Sequence, residues 1–130
     1  MRLEPTIVDL LSPWVPRRDL EAMHIVLAWP FRWLPAAIGM TAVTFAPFVI
    51  FRARGYRPAT AAGLALIAHE ARHIGQVREM GRLRFYTHYL SGQLRCRFRH
   101  NRHPLEIPCI QLQRTIRAAL RERGFPDSTP

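Results

Sequence analysis

Apolar positions along this chain follow two regimes that meet near residue 60. Before it, they come in short runs broken by proline. Residues 1–16 hold two small apolar patches among Pro5, Pro13 and Pro16, and read as an irregular arm or a short helix. From Arg18 to Ala28, Leu20, Met23, Ile25, Val26 and Leu27 outline a helix that Pro30 ends. The run from Thr41 to Phe51 is rich in β-branched and aromatic residues, which predicts a strand or a tight hairpin. Pro47 inside it lacks a backbone donor, so the segment is expected to be an edge strand or to carry a bulge. Gly55 to Pro58 reads as a turn.

After residue 60 the pattern turns helical. Residues 59–80 are dominated by Ala and Leu, and Gly81 stops them. Residues 82–94 predict a second helix with Leu83, Tyr86, Tyr89 and Leu90 on one side. The stretch from Arg95 to His103 is polar and basic, hence a loop. A third amphipathic helix is expected over 105–123, with Pro104 at its start and Pro108 in the first turn, where no intrahelical donor is lost. The expected architecture is a single α+β domain over 1–130: an arm at 1–16, a core at 17–124 and a disordered tail at 125–130.

Composition narrows the class. An apolar fraction of 48% in 130 residues suits one modest core and argues against disorder. The most apolar stretch, His24 to Phe51, is cut by Arg32, Pro30, Pro35 and Pro47. A spanning helix needs about 20 apolar residues, so no membrane span is expected. The N-terminus lacks the basic-then-apolar order of a signal peptide, and the expectation is a soluble protein, cytoplasmic or virion-associated. Cys96 and Cys109 are too few for a disulfide framework and read as reduced thiols. Nineteen basic residues, all Arg, stand against nine acidic ones, and a net charge of +10 favours an anionic partner. Arg95, Arg97, Arg99 and Arg102 crowd around Phe98, and Arg114, Arg117 and Arg121 form a stripe on the last helix. No phosphate-cradling glycine loop and no zinc-finger spacing accompany them. Docking on a larger protein assembly is therefore favoured over nucleic-acid recognition.

The chemistry concentrates on the 59–80 helix. His69 and His73 are four apart, which stacks them on one face, where two imidazoles can hold one Zn²⁺. Glu70 is rotated by about 100° from His69, poorly placed as a ligand but able to take a proton from the water that zinc activates. Leu64, Ile67, Ala71 and Ile74 supply an apolar back. A third histidine six residues after the second is ruled out, because position 79 is Glu79. Glu106, His103, His100, His88 and Cys109 are the candidates for a third ligand. Glu106 stands at the start of the third helix, 33 residues after His73, and would complete a His₂Glu set with an open fourth position. Donors for a developing oxyanion could come from Tyr86, His88, Tyr89 or His103, and Tyr89 is preferred.

Three segments resemble the minimal gluzincins, short bacterial and phage-encoded relatives of the thermolysin-type core. They are Leu66 to Gln76 with its His-Glu-Ala-Arg-His run, Phe85-Tyr86 with Tyr89, and His103 to Cys109. The likeness covers about residues 38–112, and Pro108-Cys109 departs from the small residues usual after the glutamate. It implies a small sheet with three or four helices, zinc held by His69, His73 and Glu106, and Glu70 as base. It also implies a substrate strand added along 41–51, near Val43 and Phe45. Zinc-dependent hydrolysis of a peptide or protein substrate is the expectation. A non-enzymatic component of an assembly such as a phage particle is its main rival, and a basic nucleic-acid-binding module the second.

Overall fold

The computed structural model describes residues 1–28, 31, 33–37 and 39–128. Its architecture is α+β, with six α-helices among those residues and one mixed sheet of three strands. In chain order these are α1 (Pro5–Leu11), α2 (Arg17–Ala22), β1 (His24–Val26), α3 (Trp33–Ala37), β2 (Ala42–Phe45), β3 (Phe48–Phe51), α4 (Ala61–Met80), α5 (Arg82–Arg95) and α6 (Ile107–Glu122), with a 3-10 turn at His100–Arg102 before α6.

The central element is α4. Thr60 caps it, its hydroxyl accepting from the Gly63 amide at 3.0 Å, and Gly81 ends it at φ 84°. Leu64, Ala65, Ile67, Ala68 and Ala71 are fully buried. The opposite face, with His69, Glu70, His73 and Gln76, is buried as well. A helix covered all round must satisfy its polar face from other elements. Here α6 and α5 provide that cover, with Ile116 and Leu120 of α6 in the core. Gly75 permits the approach of α2: a Cβ there would lie 2.8 Å from an oxygen of Asp19, a buried carboxylate that accepts two hydrogen bonds from Arg78.

The 41–51 region is a hairpin. β2 runs antiparallel to β3, with Thr44 opposite Val49, and Pro47 sits in the turn. The order β1-β3-β2 makes β2 an edge strand and β3 the central one.

The helix expected over Arg18–Ala28 is a correction. It stops at Ala22, and Ile25 and Val26 pair with Val49 and Ile50 of β3 in parallel. Burial of Ile25 against the sheet outweighs its weak helical preference. Pro30, expected to end that helix, lies outside the described residues. A second correction concerns α5, where Leu83 and Leu90 are exposed. Its inner face is formed by Phe85, Tyr89 and Gly92. Helices α1 and α3 raise the count above the three or four expected, and α1 buries Ile7, Val8 and Leu11 in the core. The tail also differs from expectation through residue 128. Carbonyls of Pro126 and Asp127 accept from the first amides of α4, and the Asp127 carboxylate pairs with Arg117. Residues 129 and 130 lie outside the description.

Candidate metal centre

Glu106 is the hub of the site. Its side chain is 1% exposed, yet its carboxylate meets three imidazole nitrogens. Oε2 lies 3.1 Å from Nε2 of His69 and 2.6 Å from Nε2 of His100, and Oε1 lies 2.7 Å from Nε2 of His73. The Tyr89 hydroxyl donates to Oε1 at 3.2 Å. The charge of a buried carboxylate survives only with such partners. Burial would raise the Glu106 pKa, but the hydrogen bonds from His100, His69 and His73 outweigh it and hold the group well below the usual carboxylate range. Burial would likewise lower the pKa of His73, but contacts with Cys109 and Glu106 raise it well above the ordinary imidazole value. Of those two contacts, Glu106 at 2.7 Å is the hydrogen bond, against 3.8 Å to the thiol. Burial, and then the Glu106 charge, push the Tyr89 phenol upward, so it stays a donor.

The far nitrogens of His69 and His73 help to fix how their Nε2 atoms converge on Glu106. Nδ1 of His73 lies 2.9 Å from the amide oxygen of Gln76. The amide nitrogen of Gln76 donates to the Leu105 carbonyl at 2.9 Å, which fixes which end of the amide faces the ring. Nδ1 of His69 lies 2.8 Å from the amide oxygen of Gln113 on α6. Nδ1 of His73 therefore donates to Gln76, and Nε2 of both rings faces Glu106. The Nε2–H of His73 donates to that carboxylate here, and this proton would have to leave before the lone pair could serve a metal ion. Two histidines, a carboxylate and a third imidazole within reach form a donor set suited to Zn²⁺. The ligand atoms of His69, His100 and Glu106 all lie within 4.8 Å of one another.

Glu70 is 3% exposed and accepts from the Thr44 hydroxyl at 2.6 Å. It lines a cleft of about 220 Å³ together with Val43, Thr44, Phe45, His73 and Tyr86. The edge strand β2 thus forms one wall of the cleft and the side of α4 that carries Glu70 and His73 another. Tyr86 reaches across to accept from the Ala46 amide at 3.2 Å, which ties α5 to the hairpin turn.

The structure brings His69, Glu70, His73, Tyr89 and Glu106 together, with Val43 and Phe45 on the cleft wall. Of the other ligand candidates, His100 and Cys109 also reach the site, whereas His88 and His103 do not. His88 is exposed on the outer face of α5. His103 is fully buried and already satisfied: Nε2 lies 2.7 Å from the Tyr89 carbonyl and Nδ1 accepts from the Leu105 amide at 3.0 Å. Both its nitrogens are used, so it is a structural imidazole. Cys109 lies with the site: its Sγ is 3.8 Å from Nδ1 of His73, its thiol donates to the Leu105 carbonyl, and ligand atoms of His69, His73 and Cys109 also fall within 4.8 Å of one another. Thr44 and Gln113 escaped the sequence reading. They lie 26 residues before Glu70 and 44 residues after His69, and no local spacing links them.

Residues 32–81 match a family model, that of the eCIS core domain. The match spans less than half of the chain. It includes the hairpin and α4 with His69, Glu70 and His73, and it ends before Glu106. No curated protein and no solved structure matches the chain. No helix among the described residues is long and apolar enough to cross a membrane. The basic loop lies beside the centre. Arg95, Arg97, Arg99 and Arg102 line a shallow pocket of about 390 Å³, and none of the four pairs with an acidic side chain among the described residues.

Proposed function

We propose that this chain is a zinc-holding component of a larger protein assembly of the extracellular contractile injection kind. The eCIS core domain match over 32–81 supports the assembly reading, and the unpaired basic surface gives such a protein an acidic partner to dock on. The observation that carries the zinc reading is the Glu106 carboxylate, buried and facing three imidazole nitrogens. His69, His73 and Glu106 would hold the ion, and zinc would join α4 to the start of α6 and add its binding energy to folding. Metal analysis of the purified chain should find one zinc per chain, lost in Glu106→Ala together with a fall in Tm. Purified contractile particles should co-sediment the chain, less so at high salt. A metal-free wild type, with a Tm indifferent to zinc and to Glu106→Ala, would remove the zinc reading. A chain that stays in the supernatant at low salt would remove the assembly reading.

Peptide hydrolysis is the second reading, and one feature favours it. Glu70 lies on the cleft wall beside His73, held by Thr44 of an edge strand that can accept a substrate strand. Zinc would supply Lewis acidity there, and Glu70 would take the proton of the attacking water. Zinc-loaded wild type should then cleave members of a peptide library, and Glu70→Gln should not, while keeping its zinc. A loaded wild type that cuts no peptide sinks this reading and leaves the first one standing.

A further inference from the structure

The gluzincin-like set of two histidines and one glutamate leaves a fourth position open, and in this fold something already stands near it. His100 lies in the 3-10 turn ahead of α6, and its Nε2 is 2.6 Å from Oε2 of Glu106, the oxygen that Nε2 of His69 also approaches. The His100 ring is nearly parallel to that of His69, with centroids 6.1 Å apart. Its side chain is 38% exposed, so it covers the centre from the solvent side while the other three groups are buried.

The chain has to make an effort to place it there. After α5, Arg97 and Phe98 follow each other in the left-handed region at φ 54° and 60°, which non-glycine residues seldom adopt even singly. That double reversal turns the chain back, with the Phe98 amide donating to the Gln93 carbonyl at 2.8 Å. The far end is pinned by His103, whose ring fits against Gly92 and whose Nε2 reaches the Tyr89 carbonyl. Between these anchors lie Arg99 and Arg102, which repel one another, and His100 is the loop residue with a carboxylate partner among the described residues. Strain and like charge persist where surrounding structure over-determines them, and such places coincide with binding sites.

We propose that His100 is the fourth protein ligand, so that the folded chain presents a closed His69–His73–His100–Glu106 centre. This rests on the zinc reading above and deepens it. Four protein ligands mark a structural zinc site, whereas a catalytic site keeps a position for water or substrate. Hydrolysis by this chain would require the 95–103 loop to lift His100 away.

Cobalt(II) in place of zinc makes the coordination visible. The wild-type cobalt protein should show the intense visible bands of a four-coordinate site and should not respond to azide. His100→Ala should still bind cobalt, respond to azide through the vacated position, and hold the metal more weakly by at least the roughly 10–100-fold that loss of an outer partner costs. His100→Cys should keep cobalt and add a thiolate-to-metal charge-transfer band, which a merely structural role for His100 would not produce. His88→Ala should behave as wild type. Equal affinity and equal azide response in wild type and His100→Ala would overturn the proposal while leaving the metal centre intact. A thiolate band already present in wild type would give the fourth place to Cys109 and overturn it too. Failure of wild type to bind cobalt or zinc at all would overturn the underlying zinc reading with it.

Discussion

Gln76 and His73 are joined by a hydrogen bond of 2.9 Å, and the other end of the same amide holds the Leu105 carbonyl, one residue before Glu106. One side chain thus sets the tautomer of a candidate ligand on α4 and the position of the segment that delivers another. Gln76→Ala should weaken zinc binding by about 10–100-fold, as loss of outer-shell partners does. It should also cost the metal-free protein about 1–3 kcal/mol, because the Leu105 carbonyl and Nδ1 lose a buried partner. Chelator competition and denaturant unfolding measure the two effects. Unchanged zinc affinity would mean that His73 does not need this tautomer.

The pH dependence should reverse sign with metal. In the metal-free protein His73 is raised above its ordinary 6.5, so its pairing with Glu106 contributes fully below 6.5 and is lost as pH rises through the raised value. Glu106 is depressed below its ordinary 4.5, so its contribution is present above 4.5 and is lost as pH falls through the depressed value. The metal-free Tm should therefore decline on the alkaline side. Zinc needs neutral imidazoles, so the zinc-induced rise in Tm should grow over the same range. Calorimetry with and without zinc across that range tests this. A zinc-induced rise that shrinks with increasing pH would contradict the assignment of His73 as a ligand.

How much of this was legible beforehand depended on sequence distance. The α4 helix was, because its Ala- and Leu-rich run, its stop Gly81 and the His69–His73 spacing are all local. Glu106 was singled out from five candidates largely by the resemblance to minimal gluzincins, helped by its place at a helix start. What failed were pairings between remote segments. Ile25 and Val26 follow a helical stretch without a break, and their strand state exists only because Val49 and Ile50 lie alongside. Leu83 and Leu90 are ordinary inner residues by pattern. The face of α5 is instead chosen by Gly92, where a Cβ would lie 2.6 Å from Nε2 of His103. Thr44 and Gln113 became visible only when β2 and α6 were seen against α4.

Thr44 should matter to Glu70 without mattering to zinc. Its hydroxyl is the hydrogen-bond partner of that buried carboxylate, at 2.6 Å. Thr44→Val keeps the shape of the strand and removes the donor. Hydrogen bonds to charged groups are worth about 1.5–3 kcal/mol, and the variant should lose stability on that scale. Zinc content should stay at the wild-type level, since Glu70 lies outside the His69–His73–Glu106 set. A variant that loses zinc would place Glu70, or the hairpin that faces it, inside the coordination sphere.

Two glycines offer a controlled comparison between packing and the centre. A Cβ on Gly75 would lie 2.8 Å from Asp19 and 2.9 Å from Arg72, on the α2 side of α4. A Cβ on Gly92 would lie 2.6 and 2.7 Å from atoms of the His103 ring. Each alanine overpacks a fitted contact, and each should cost about 1–3 kcal/mol. Their effects on metal should part. Gly75→Ala disturbs the Asp19–Arg78 pair, which does not touch the centre. Gly92→Ala has to push His103 off the Tyr89 carbonyl and off the Leu105 amide. That displacement moves the chain on both sides, towards His100 and towards Glu106, while loosening the helix that carries Tyr89. Zinc affinity should therefore fall in Gly92→Ala and hold in Gly75→Ala at matched loss of stability. If both variants lost affinity in proportion to their stability, the centre would be sensing only global unfolding. The loop anchored by His103 would then have no special part in holding the ligands.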